Sequence, residues 1–168
     1  YPLWQVFRFA APGLMAGNTA VLKHASNVSR SALEIERIFL QAGLPEGIVR
    51  TVLVPGAEVE RLIGDPRVAA VTLTGSTPAG QSVAAAAGRA IKKAILELGG
   101  SDAFIVLEDA DLDAAAAMAA RARFQNTGQS CIAAKRFIVA DSVADAFERQ
   151  FVAEARKLTV GDPTERAT

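Results

Sequence analysis

Val68-Ala69-Ala70-Val71-Thr72-Leu73, then Thr74-Gly75-Ser76-Thr77-Pro78-Ala79-Gly80, is the stretch on which the fold reading turns. The first run is short and apolar, as a buried strand requires. The second bends through glycine into a helical pattern over residues 81–90, and residues 92–96 return to a strand-like run. Strand, turn, helix and strand in that order form the unit from which parallel sheets are built.

The same alternation recurs on both sides of this stretch. Residues 20–23 read as a strand after the Gly17-Asn18 turn. Ser31 and Glu34 have capping-box spacing ahead of an Ile35, Ile38, Phe39, Ala42 stripe, and Gly43 and Pro45 stop that helix. Residues 49–54 are expected to be extended and 58–63 to form a short helix. Beyond Gly99-Gly100, residues 104–107 read as a strand, 111–123 as a helix and 136–139 as extended. An amphipathic helix follows over 143–158, with Phe147, Phe151 and Leu158 inward. The expectation is an α/β fold with a largely parallel sheet.

Composition narrows the function classes. The chain has 168 residues, with 18 basic and 18 acidic side chains, so it lacks the positive footprint of a nucleic-acid binder. One cysteine and one histidine exclude an internal disulfide and a Cys/His zinc site. No apolar run reaches the length of a membrane span. These features predict a soluble, cytoplasmic protein without nucleic-acid, membrane or metal partners. The start at Tyr1-Pro2 and the stop soon after Gly161-Asp162-Pro163 predict a segment of a longer protein.

Several residues could carry chemistry. Cys131 lies in Phe124-Gln125-Asn126-Thr127-Gly128-Gln129-Ser130-Cys131. A lone cysteine is more often a small packed apolar residue, yet these flanks are polar and the segment bends through glycine. Such a loop exposes a thiol, and its backbone N–H groups can hold an oxyanion. Glu97, in Leu96-Glu97-Leu98-Gly99-Gly100, ends an apolar strand. It is either an exposed strand end or a base whose pKa partial burial would raise. The 74–80 turn offers a helix N-terminus to phosphate, although it lacks the G-x-G-x-x-G spacing. Lys23 is either solvated or a ribose or phosphate contact. His24 reads as structural, and Asp109, Asp111 and Asp113 read as helix-capping residues rather than metal ligands.

Taken in order, these segments resemble the NAD(P)-dependent aldehyde dehydrogenase superfamily. The resemblance rests on Pro2-Leu3-Trp4-Gln5, Gly17-Asn18, Val21-Leu22-Lys23 and Ala42-Gly43-Leu44-Pro45-Glu46-Gly47. It continues through Thr74-Gly75-Ser76-Thr77, Leu96-Glu97-Leu98-Gly99-Gly100, Asp109-Ala110-Asp111-Leu112-Asp113, the run from Phe124 to Cys131, and Gly161-Asp162-Pro163. It implies a Rossmann-like parallel sheet with flanking helices. Residues 1–98 would be part of an NAD(P)-binding domain and 99–168 the start of a catalytic domain.

The resemblance also assigns roles. Cys131 falls on the nucleophile that attacks the aldehyde, and Glu97 on the base that activates the hydrolytic water. Lys23, Ser26, Gly75, Ser76, Gly80 and Leu98 fall on the cofactor site, with Gly75 and Gly80 keeping the turn open. Ser26 stands where many NAD-preferring members carry glutamate, which implies NADP use with NAD also accepted.

Lys-His-Ala-Ser at residues 23–26 and Gly-Gly-Ser-Asp at 99–102 resemble a succinate-semialdehyde dehydrogenase subgroup. There Arg8 would bind the substrate carboxylate, and Gln125 stands where some relatives place a second such arginine. The implied substrate is a small aldehyde, foremost succinate semialdehyde. The implied full-length protein is a homo-oligomer, dimer or tetramer. The family's oxyanion asparagine would precede Tyr1, so the 168-residue piece alone is expected to be inactive. The competing readings are a dehydrogenase of another small aldehyde, a coenzyme A-acylating relative, and a nucleotide-binding module without catalysis. Glu97 argues against the acylating version.

Overall fold

Each of the three pairs of strands is joined by a helix, and each pair is parallel. β1 (Ala20–Leu22) pairs with β2 (Val49–Thr51) across α2 (Ser29–Gln41). β3 (Ala70–Thr74) pairs with β4 (Lys93–Glu97) across α4 (Thr77–Arg89), in the register Ala70↔Lys93 to Thr74↔Glu97. β5 (Asp102–Val106) pairs with β6 (Ala134–Val139) across α5 (Leu112–Phe124). Parallel neighbours need such a crossover because no tight turn can join them. The computed structural model describes residues 1–166. It divides into two compact units, Tyr1–Leu98 and a second beginning at Gly99.

In the first unit, Ile63, Val83, Ala86 and Ala87 form a buried cluster against Val71, Leu73, Ala94 and Leu96. The alanines of α4 let the helix approach β3 and β4 closely. In the second, Val106, Ala116, Ala119 and Phe147 are buried, with Phe104, Phe137 and Phe151 packed on them. The Phe137 and Phe151 rings lie 4.9 Å apart between centroids. α6 (Ala144–Ala155) supplies two of these aromatic side chains. No helix of the described residues is long and apolar enough to cross a membrane.

Four local expectations are corrected. Residues 2–15, to which the sequence reading gives no helix, form α1 (Pro2–Met15) despite Pro12 within it. Proline suits the first turn, where its missing N–H costs nothing, and Pro12 removes only one bond near the other end. The capping box does not form. α2 starts at Ser29, so Ser31 is already inside the helix, and Glu34 pairs with Arg37 instead. α4 begins at Thr77 rather than at residue 81, because Ser76 caps it. Leu158 lies beyond α6 and is exposed, whereas Phe147 is buried and Phe151 half-buried.

Candidate active site

Two of the sequence-predicted residues meet in the first unit. Glu97 is the last residue of β4, and Arg8 lies midway along α1. Arg8 Nη2 donates to Glu97 Oε1, with the Arg8 side chain about half exposed and that of Glu97 about a third. They line a cleft of about 360 Å³ together with Gln5, Phe9, Thr72, Thr74 and Ile95. The hydrogen bond from Arg8 holds the Glu97 carboxyl below the usual carboxylate range, with its positive charge adding to the effect. Desolvation acts the other way; it is weaker than the hydrogen bond and stronger than the bare attraction of the charge. The expected upward shift of Glu97 is thereby corrected: burial is too slight to outweigh the guanidinium.

The turn after β3 is built as a helix N-terminus. Ser76 adopts extended backbone and accepts from the Ala79 N–H at 3.4 Å. Gly75 N–H donates to the Glu97 carbonyl at 3.0 Å, so the turn and the end of β4 are tied together. No acidic side chain occupies the first turn of α4, which leaves its positive dipole end uncompensated. Lys23 directly follows β1, and Ser26 opens a short 3-10 turn and is exposed. The N-terminus of a helix without acidic side chains in its first turn is a setting that suits an anion.

Gly80 plays a part different from the expected one. It lies inside α4, not in the turn, and is buried. A Cβ there would come within 2.6 Å of both Leu98 Cδ atoms. Its lack of a side chain therefore allows Leu98 to press against the helix. Gly75 has ordinary space around it, with Leu73 Cδ1 at 3.6 Å from a built Cβ, and its φ is not positive.

His24 is bound from both sides. Its Nδ1 accepts from the Ala25 N–H at 2.9 Å, so the opposite Nε2 carries the proton and donates to the Pro2 carbonyl at 2.9 Å. It ties the start of α1 to the end of β1.

In the second unit, Cys131 is half-buried and follows a strained loop. Asn126, Thr127 and Gly128 all have left-handed backbone, with φ of 52°, 55° and 74°. For a β-branched threonine this conformation is unfavourable and must be held by its surroundings. Gln129 Nε2 donates to Thr127 Oγ1 at 3.0 Å, and Arg123 Nη1 reaches the Gly128 carbonyl at 3.3 Å. Gln125 sits exposed at the junction between α5 and this loop.

Two basic residues escaped the sequence reading. Lys135 Nζ bonds to the carbonyls of Ser130, Cys131 and Ala133, and Arg136 Nε donates to the Ser101 carbonyl at 2.9 Å. Their only signal in the sequence is a pair of charges at the start of an apolar strand, which reads as an exposed edge. Asp111 caps α5 by accepting from the Ala114 N–H at 3.1 Å. Among the described residues, no three His, Cys, Asp or Glu side chains are placed to hold a metal ion.

Comparison with known proteins agrees with this architecture. The chain is 61% identical over all 168 residues to the NADP(+) succinate-semialdehyde dehydrogenase of Mycolicibacterium paratuberculosis, covering 36% of that protein. It is 58% identical over 168 residues to succinate-semialdehyde dehydrogenase [NADP(+)] 1 of Mycobacterium ulcerans, covering 37%. The chain thus spans little more than a third of the length of these relatives. The succinic semialdehyde dehydrogenase of Streptococcus pyogenes, solved with NADP+ as cofactor, superposes with a TM-score of 0.96 at 41% identity. That match covers 100% of this chain and 37% of the other. A model of the aldehyde dehydrogenase family matches residues 1–168. With the parallel strand–helix–strand units and the loop that carries Cys131, this places the chain in the aldehyde dehydrogenase family.

Proposed function

We propose that the complete protein oxidises a small aldehyde, foremost succinate semialdehyde, to its carboxylic acid with NADP as the preferred cofactor. The observation that carries this reading is the ion pair between Arg8 and Glu97 in one cleft. It gathers a base held ionised and a cation suited to a substrate carboxylate. The relatives' identity as NADP(+) succinate-semialdehyde dehydrogenases supports it.

In this reading Cys131 Sγ, as thiolate, attacks the aldehyde carbon, and the loop's backbone N–H groups take the developing oxyanion. NADP, where bound, would supply the hydride acceptor that an aldehyde oxidation requires. Glu97, ionised, removes a proton from water, whose oxygen attacks the acyl carbon and expels Cys131 as thiolate. Arg8 engages the distal carboxylate of the substrate, and Gln125 stands at the start of the cysteine loop. Lys23, Ser26, Ser76 and Leu98 would hold the cofactor, the Ser76 turn taking pyrophosphate and Lys23 with Ser26 the ribose and its 2′-phosphate. The first unit serves as part of the cofactor domain and the second as the start of the catalytic domain. The complete protein is a cytoplasmic homo-oligomer, and the 168-residue piece alone has no useful turnover.

The test is an aldehyde panel with both cofactors on the complete protein and its Cys131→Ser and Glu97→Gln variants. The serine variant should lose oxidation. The glutamine variant should form the acyl-enzyme and stall there, which mass spectrometry reads directly. A Glu97→Gln protein with undiminished steady-state turnover would sink the assignment of the base.

A further inference from the structure

β6 carries an irregularity at the foot of the cysteine loop. Ala134 pairs with Asp102 and Arg136 pairs with Ala103, so Lys135 is an extra residue without a partner in the ladder. A bulge of this kind bends the strand and re-aims the side chain it inserts. The Lys135 side chain turns back onto the segment before it. Its Nζ lies 3.1 Å from the Ser130 carbonyl, 3.2 Å from that of Cys131 and 3.2 Å from that of Ala133. An ammonium has three N–H donors, and here three carbonyls of one turn receive them. The turn is closed by the Ala133 N–H, which donates to the Ser130 carbonyl at 3.1 Å.

The consequence follows from peptide geometry. In a planar trans peptide, C=O and N–H point in opposite directions, and the described residues contain no cis peptide bond. Drawing the Ser130 carbonyl toward Nζ turns the Cys131 N–H away from it. Drawing in the Cys131 carbonyl does the same for the Ile132 N–H. Cys131 is half-buried and Ile132 exposed.

We propose that Lys135 is a positioning residue that aims the backbone N–H groups of Cys131 and Ile132 outward as fixed donors for the oxyanion formed when Cys131 attacks a carbonyl. The bulge is the device that delivers the lysine, since the shift in pairing takes Lys135 out of the regular alternation of β6. This rests on Cys131 being the nucleophile. Lys135 touches neither the substrate nor the thiol in this role; it acts through the peptide planes.

The experiment compares two reactions of Cys131 in the complete protein. Acylation by p-nitrophenyl acetate builds an oxyanion, whereas alkylation by iodoacetamide does not. Lys135→Met should slow the acylation burst by about tenfold or more, within the loss seen when an oxyanion donor is removed, and leave alkylation within about twofold. Lys135→Arg should recover part of the burst, and Lys135→Gln, with two donors at most, should fall between lysine and methionine. If Lys135→Met does not fold, the glutamine variant decides, by slowing the burst more than alkylation. Equal losses in both reactions, or an unchanged burst, overturn the proposal. A wild-type burst that survives Cys131→Ser would instead overturn the nucleophile reading.

Discussion

Arg8 and Glu97 stand 89 positions apart in the chain and meet as an ion pair at the mouth of the cleft between α1 and the β3–β4 sheet. The contact joins the residue expected to bind substrate to the residue expected to activate water. It ties the ionisation of the base to the cation beside it. A carboxylate substrate that engages Arg8 brings a second anion to the same guanidinium.

The pH profile should register this pair. Arg8 favours the ionised form of Glu97, so its removal raises the Glu97 pKa. A general base works only when ionised. The acid limb of acyl-enzyme hydrolysis is therefore expected at higher pH in Arg8→Gln than in wild type. The same variant should raise KM for succinate semialdehyde by about 10- to 100-fold, the worth of a charged hydrogen bond, and leave KM for butanal nearly unchanged. Equal effects on both aldehydes would show that Arg8 does not read the carboxylate.

Gly80 and Leu98 form a second testable contact. Gly80→Ala gains about 1 kcal/mol of helix propensity. It also drives a methyl into the Leu98 side chain, and such overpacking costs about 1–3 kcal/mol. The expected net result is a loss of up to about 2 kcal/mol with weaker NADP binding. In a Leu98→Ala background the penalty should vanish and the helix gain remain, so a double-mutant cycle in denaturant should show clear coupling. Additive effects would contradict the contact.

Cofactor choice should respond to Ser26. Ser26→Glu places a carboxylate where a 2′-phosphate is expected, and repulsion is an effective route to discrimination. The ratio of kcat/KM for NADP over NAD should fall by about tenfold or more. An unchanged ratio would remove Ser26 from the cofactor site.

Thr127 offers a trade of strain against function. Its left-handed backbone costs about 1 kcal/mol for a residue with a Cβ. Thr127→Gly removes that cost and also the hydroxyl that accepts from Gln129. Thermal stability should change by less than about 1 kcal/mol, while the acylation rate falls because the loop before Cys131 loosens. A faster burst in the glycine variant would show that the strain does not serve the nucleophile.

The strand–helix–strand alternation was legible from the residues alone, because apolar runs, glycines and caps act over a few residues. The sequence also raised Cys131 and Glu97 as candidates, a thiol with polar flanks and a carboxylate ending an apolar strand, while a packed cysteine and an exposed strand end stayed open as readings of the residues alone. It missed α1, where two prolines and a glycine hide a helix that packing sustains. It misjudged the Glu97 charge, since burial could be guessed from the strand but the guanidinium arrives from another element. It set Gly80 in a turn, whereas the constraint comes from Leu98, eighteen positions on. Lys135 was invisible as part of the site because its direction depends on one extra residue in the pairing of β6 with β5. Local pattern decides which segments become strands and helices. Pairing register and long-range approach decide which charges meet, and only the tertiary structure fixes those.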